Sequence, residues 1–325
     1  MEWLYPIALK IIAAVALIYF GLGLFNVPWL MRVRILASLG TGALVVGTVG
    51  YLLVKPDDPL GAISLFTGQI SLFQAMILVG LGFVAGGLAT LVCYPIGSIL
   101  GPYAAPAGIA VLALCSGSIK QLLLIDSALD QRNALYSFFR WESVFWLAIC
   151  AAGYAGTVLI SKLIGTKAVV LGQPGETETK EKQWANVLVA IVSAAIVVYF
   201  TIGIFAQDIR QIDLKLGSVV GTPGNGQIAF GVFVSVGLAA FLVKRFLQMH
   251  FFLVILGAIL LYIGIFTKII GSADLEHMVT TWPIDFFPHS IYAIMPIQFV
   301  SFSWLGAMTG YWVALRTTQQ TLDEN

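Results

Sequence analysis

Apolar runs of about twenty residues, the length a helix needs to cross the hydrocarbon core of a bilayer, recur along almost the whole of this chain. The stretch 185–205, ANVLVAIVSAAIVVYFTIGIF, carries no charged side chain at all. Inside a bilayer every backbone N–H and C=O must be bonded within the protein, which leaves helices and closed barrels. A barrel would alternate apolar and polar residues in strands of about ten. The runs here are continuous, so the expectation is an all-α polytopic membrane protein.

Composition agrees. Of 325 residues 59% are hydrophobic and 10% charged, against roughly 45–50% and 25% in soluble domains. A soluble fold has no interior large enough for that apolar surface. Net charge is +1, with Lys and Arg dispersed, so nothing points to nucleic acid. Cys93, Cys115 and Cys150 all fall in apolar runs, where a thiol behaves as a small hydrophobe. The N-terminal run has no small-residue cleavage site and reads as a retained span.

A span-length window places nine helices near 7–25, 35–54, 75–93, 103–120, 141–161, 185–205, 227–244, 250–270 and 291–315. Trp3, Trp29, Trp141, Trp184, Trp282 and Trp312 sit near predicted ends, where an amphipathic ring prefers the headgroup zone. The one clearly polar linker, GQPGETETKEKQ at 172–183, has no apolar face. The expected organisation is a first membrane repeat over 1–120, a juxtamembrane helix and linking span over 121–171, a polar hinge over 172–184, and a second repeat over 185–325.

Two correspondences suggest the repeat. IIAAVALIYFGLGLF at 11–25 aligns without a gap on IVSAAIVVYFTIGIF at 191–205. Further on, Tyr94-Pro95-Ile96 and Tyr103-Ala104 are echoed by Trp282-Pro283-Ile284 and Tyr292-Ala293. With four spans on each side of a fifth, the second unit starts from the opposite face, giving a 4+1+4 inverted-topology repeat. Basic residues divide almost evenly between the faces. The compact basic loops 31–34 and 243–246 favour an N-terminus outside and a C-terminus inside, in a cell (inner) membrane.

Chemistry-bearing motifs are few. The spans as drawn hold one carboxylate, Glu142, at the start of the fifth, which argues against a proton pump or typical proton symporter. His250 lies on one face, His277 and His289 on the other, so the three cannot share a metal, and no cofactor is expected. Asp126 and Asp130 have the spacing of a magnesium-diphosphate pair in lipid-modifying enzymes, without a matching second pair.

The proline-broken segments remain. Pro95, Pro102 and Pro106, with Tyr94, Ser98 and Tyr103, interrupt 93–106; Pro283, Pro288 and Pro296, with Trp282 and Tyr292, interrupt 282–296. Proline removes a donor and clashes with the preceding turn. At membrane depth such backbone needs protein or a wet cavity around it. With Gln298, Ser301 and Ser303 these residues form the candidate substrate site of a small-solute carrier or channel. The alternative is a non-catalytic scaffold or anchor for membrane-protein partner subunits, with interfacial loops at both places. In either case the lipid bilayer is the first partner.

Overall fold

The computed structural model describes residues 16, 18–23, 27–56, 58, 61–68, 70–125, 128–165 and 180–323. Ten helices are named here in chain order: α1 Trp29–Val54, α2 Leu72–Val92, α3 Gly97–Cys115, α4 Ile119–Ile125, α5 Leu129–Leu163, α6 Lys180–Phe205, α7 Asn225–Leu247, α8 Phe251–Ile269, α9 Ala273–Thr281 and α10 Pro296–Asp323. Seven of them (α1, α2, α3, α5, α6, α7 and α8) are long and apolar enough to cross a membrane. They coincide with seven of the nine expected spans, and the architecture is that of a helical, multi-pass membrane protein.

The other two expected spans fare differently. The first, 7–25, and the sequence match built on 11–25 lie mostly outside the described residues. The ninth corresponds to α10, a 28-residue helix that falls short of span-like apolarity. Its Gln298, Ser301, Ser303 and Trp304 are all buried against protein, so it needs less apolar surface than a helix facing lipid. The polar hinge at 172–184 is described only from Lys180, where it is already helical.

Chain direction follows from cross-helix contacts. Ser38 donates to the Leu100 carbonyl at 2.6 Å, and a β-carbon on Gly42 would overlap the Ala104 carbonyl, so α1 and α3 run parallel in close backbone contact. In the same way Gly86 of α2 meets Gly153 of α5, and Gly310 of α10 meets Gly237 of α7. Small residues at these crossings let helices approach where lipid supplies no hydrophobic drive. By contrast α3 and α10 pack antiparallel: Tyr103 lies against Thr309 and Met308, whereas Ser116, just past α3, lies near Gln298 through Asn225.

At one end, the cap, four connections bind one another. Gly117 N–H donates to the Gly61 carbonyl at 3.0 Å, Lys215 Nζ to the Ala273 carbonyl at 2.9 Å, and Gly271 N–H to Asn133 Oδ1 at 2.8 Å. A three-stranded antiparallel sheet crosses this cap in the order β1 (Arg210–Asp213), β2 (Gly217–Gly221), β3 (Phe286–Phe287). Among the described residues it is the one departure from the all-α expectation. Gly217, at a φ of +77°, closes the hairpin, and Asp213 Oδ1 accepts from the Lys215 and Leu216 amides. The opposite end holds the 93–96 turn, Gln248–His250 and the C-terminus of α10.

Candidate functional site

A buried stripe runs down α5 at helical spacing: Arg132, Tyr136, Phe139, Glu142, Trp146, Ile149, Gly153 and Thr157. Glu142 is therefore turned into the bundle, 1% exposed, more than a full turn inside a helix that starts at Leu129. Its Oε2 accepts from the Ser64 hydroxyl at 2.7 Å; its Oε1 accepts from the Leu65 amide at 3.2 Å and the Trp146 indole at 3.0 Å. Ser64 and Leu65 belong to the segment 61–68, which leaves α1 and folds back between α5 and α3 before α2 begins.

The other side of that segment touches a second polar group. Ile63 N–H donates to Ser116 Oγ at 2.8 Å. The Ser116 carbonyl accepts from Asn225 Nδ2 at 3.0 Å, and Asn225 Oδ1 accepts from Gln298 Nε2 at 3.0 Å. Gln298 Oε1 in turn accepts from the Met295 amide at 3.1 Å, capping α10 behind Pro296 at its first position. One continuous polar seam thus joins the ends of α3, α7 and α10, with 61–68 wedged between it and Glu142. Ser301 hydroxyl donates to the Ile297 carbonyl, whereas the buried Ser303 hydroxyl and Trp304 indole have no hydrogen-bond partner among the described residues.

The chain matches no known family model, no curated protein and no solved structure. What the site can do therefore rests on its own geometry.

The two proline-broken segments attach to opposite ends of the bundle. Tyr94 and Pro95 are exposed at the turn end, Ser98 is half-buried, and Pro102 and Pro106 are buried. Tyr103 faces an apolar recess lined by Ile99, Phe251, Met308, Tyr311 and Leu315. At the cap, Trp282 donates to Asp213 Oδ2 at 2.7 Å, Pro283 is exposed and Pro288 is half-buried. Tyr292 packs against Phe266 and Tyr136, and its hydroxyl donates to the Ile265 carbonyl at 3.4 Å. Phe251 and Phe266 lie fifteen residues apart on α8, about 22 Å along its axis, so the structure does not bring Tyr103 and Tyr292 together. Asp126 lies outside the described residues, and Asp130 is exposed.

The sequence reading missed Glu142, Ser64, Arg132 and Asn225 as interior groups. A signal existed on α5. Leu135, Tyr136 and Phe139 continue the apolar stripe of the fifth span upstream of Glu142, which would have moved its start and turned Glu142 inward.

The cap carries its own charged knot. Asp213 is buried; the Trp282 indole and then the His277 ring, Nε2 to Oδ2 at 3.0 Å, hold its carboxyl well below the usual carboxylate range. Lys120 likewise lowers Asp285, with Nζ 2.9 Å from Oδ2. His289 stacks on Tyr199 at 4.4 Å, and burial, aided by Arg210, pushes its imidazole down to about 4.

Proposed function

We propose that this protein is a small-solute carrier of the cell membrane, built as two oppositely directed halves, with its solute site on the polar seam Ser116–Asn225–Gln298. The observation that carries the reading is the seam itself. Ser116 and Gln298 are buried and Asn225 is half-buried, so polar groups from the ends of helices far apart in sequence meet one another there, and buried polar groups in a membrane bundle are costly and functional by default.

Helix directions support the two halves. In α1 with α3, and again in α7 with α10, the second and fourth helices of a unit pack parallel through glycines, while α3 and α10 cross antiparallel at the centre. Such an arrangement follows when one unit is inverted relative to the other, as in carriers whose halves rock around a shared site. The cap then faces outside, with the C-terminus inside.

Purified protein in proteoliposomes, challenged with a panel of small neutral, cationic and anionic solutes, tests the reading. At least one solute should enter faster than into empty vesicles, and Asn225→Ala or Gln298→Ala should slow it. Uniform impermeability of folded protein would defeat the carrier reading.

One observation favours the scaffold alternative. Ile209, Ile212 and Leu214 on and beside edge strand β1 are exposed, Leu214 completely. An outside-facing partner subunit could pair with that edge, and co-purification of such a subunit with an inert transporter would support it.

A further inference from the structure

A carboxylate enclosed by apolar helices loses its hydration, and the loss is made good only by donors or a counter-ion. Glu142 has three neutral donors. Neither of the two ion pairs among the described residues involves it. From the segment 61–68 Ser64 and Leu65 face it; Trp146 does so from its own helix, and Tyr262 of α8 is close enough to feel its charge.

Arg140, two residues before Glu142, is turned off the stripe to Ser137 and Thr267, and the other charged groups stand away. α2 contains no titratable residue, and α3 offers Cys115, which is exposed, and Tyr103 at the far end. Those of α10 are Tyr311, Arg316 and Asp323, all in its far half. Lys268 of α8 is exposed, and Gly271, just before α9, meets α5 at Asn133, nine residues before Glu142. Arg132 lies ten residues earlier on α5, about 15 Å along the axis, with Tyr136 and Phe139 between.

We propose that Glu142 is a proton-binding site, and that its protonation frees the segment 61–68 from α5 and so loosens its cover over the polar seam. In the ionised state both carboxylate oxygens accept charge-assisted bonds, which are roughly twice as strong as neutral ones. A proton taken from water turns one oxygen into a hydroxyl. The Ser64 hydroxyl must then turn round to accept from it, and the bonds to the Leu65 amide and Trp146 indole become neutral ones. The segment loses much of its hold on α5 and is left on two neutral bonds, Ile63 N–H to Ser116 Oγ and Gly117 N–H to the Gly61 carbonyl, which then open more readily. Because Ile63 covers Ser116, a segment that lifts uncovers the seam. Proton occupancy would thus gate solute access from the cap side, a mechanism that rests on reading the seam as the solute site.

The test needs no solute. Hydrogen exchange of the amides in 61–68 is followed by mass spectrometry on the full chain in nanodiscs between about pH 8 and about pH 5, normalised for intrinsic exchange. Infrared difference spectra report the protonated carboxyl. Protection of 61–68 should fall about tenfold on acidification, together with growth of a carboxylic-acid band. Glu142→Gln should show the open level at every pH and lack the band. Ser64→Ala, which removes one donor and keeps the carboxyl, should loosen the segment at neutral pH and retain the pH response, so the test survives a poorly folding Gln variant. Equal, pH-independent protection in wild type and Ser64→Ala, or no carboxylic-acid band at any pH, would overturn the proposal. A pH-gated segment in a protein that moves no solute would instead sink the carrier reading alone.

Discussion

Lys120 and Asp285, 165 residues apart in sequence, meet across the cap with Nζ 2.9 Å from Oδ2, and the Asp285 carbonyl also accepts the Thr222 amide and hydroxyl. The pair ties the helix after α3 to the loop before α10. With side chains 44% and 39% exposed, it is screened by water, and such pairs contribute about 0–1 kcal/mol. Lys120→Ala should therefore shift thermal unfolding in detergent only slightly. A loss of several kcal/mol would mean the cap is held mainly by this pair.

The seam should behave otherwise. Gln298→Leu leaves the buried Met295 amide and the half-buried Asn225 Oδ1 without their partner, at about 1–3 kcal/mol. Removing both side chains of the Asn225–Gln298 pair should cost less than the sum of the single changes. Additive losses in a double-mutant cycle would show that the two do not act as a unit.

Glycine contacts give a contrast between positions on similar helices. Gly310→Val would drive a side chain into the Gly237 backbone, and Gly86→Val into that of Gly153. Both should abolish or strongly lower the yield of folded protein. Gly80, on the same helix as Gly86, has open space around it, so Gly80→Ala should be neutral or stabilise by about 0.5–1 kcal/mol. Size-exclusion profiles of the three variants check this.

Acid should weaken the cap in two stages. His289 has a folded value of about 4 against an ordinary value of 6.5, so the unfolded chain takes up its proton first; stability is full above about 6.5 and declines as pH falls toward 4. Asp213 and Asp285 are held low, so their contribution is present above the ordinary carboxylate range and is lost as pH falls below it. The denaturation midpoint of wild type relative to that of His289→Gln isolates the upper stage, and this difference should fall as pH drops from about 6.5 toward 4. A difference that rises on acidification would reverse the sign.

Trp29 and the end of α10 lie at the same end of the bundle, because α1 runs parallel to α3 and α10 antiparallel to it. One further crossing before Trp29 would put Met1 on the other side. A reporter fluorescent only in cytoplasm and one active only outside, fused at the two termini in turn, should therefore give opposite answers. Agreement on one side would remove the ninth crossing and the 4+4 symmetry with it.

The helical class and seven spans were legible because bilayer length imposes a local signature, a continuous apolar run, that needs no knowledge of neighbours. α5 was misread at its start because Asp130, Arg132, Arg140 and Glu142 dilute the apolarity of its first turns. Two of those four, Arg132 and Glu142, face inward, and only the stripe through Tyr136 and Phe139 says so. The hairpin was missed because RQID and GSVVG are short, and what holds them is Asp213 reaching His277 and Trp282 more than sixty residues away. The seam is wholly non-local. Nothing near Ser116 in sequence announces Asn225, 109 residues on, or Gln298 beyond it.

If the protein is a carrier, its halves must move against each other at the cap, and Lys120 and Asp285 mark where. The direct measurement is solute counterflow in proteoliposomes, using Lys120→Cys with Asp285→Cys in a background lacking Cys93, Cys115 and Cys150, before and after bridging by a short reducible bifunctional thiol reagent. The account predicts flux that stops on bridging and returns on reduction, with either single-cysteine protein unaffected. Flux that continues undiminished through the bridged protein, or its absence for every solute before bridging, would contradict it.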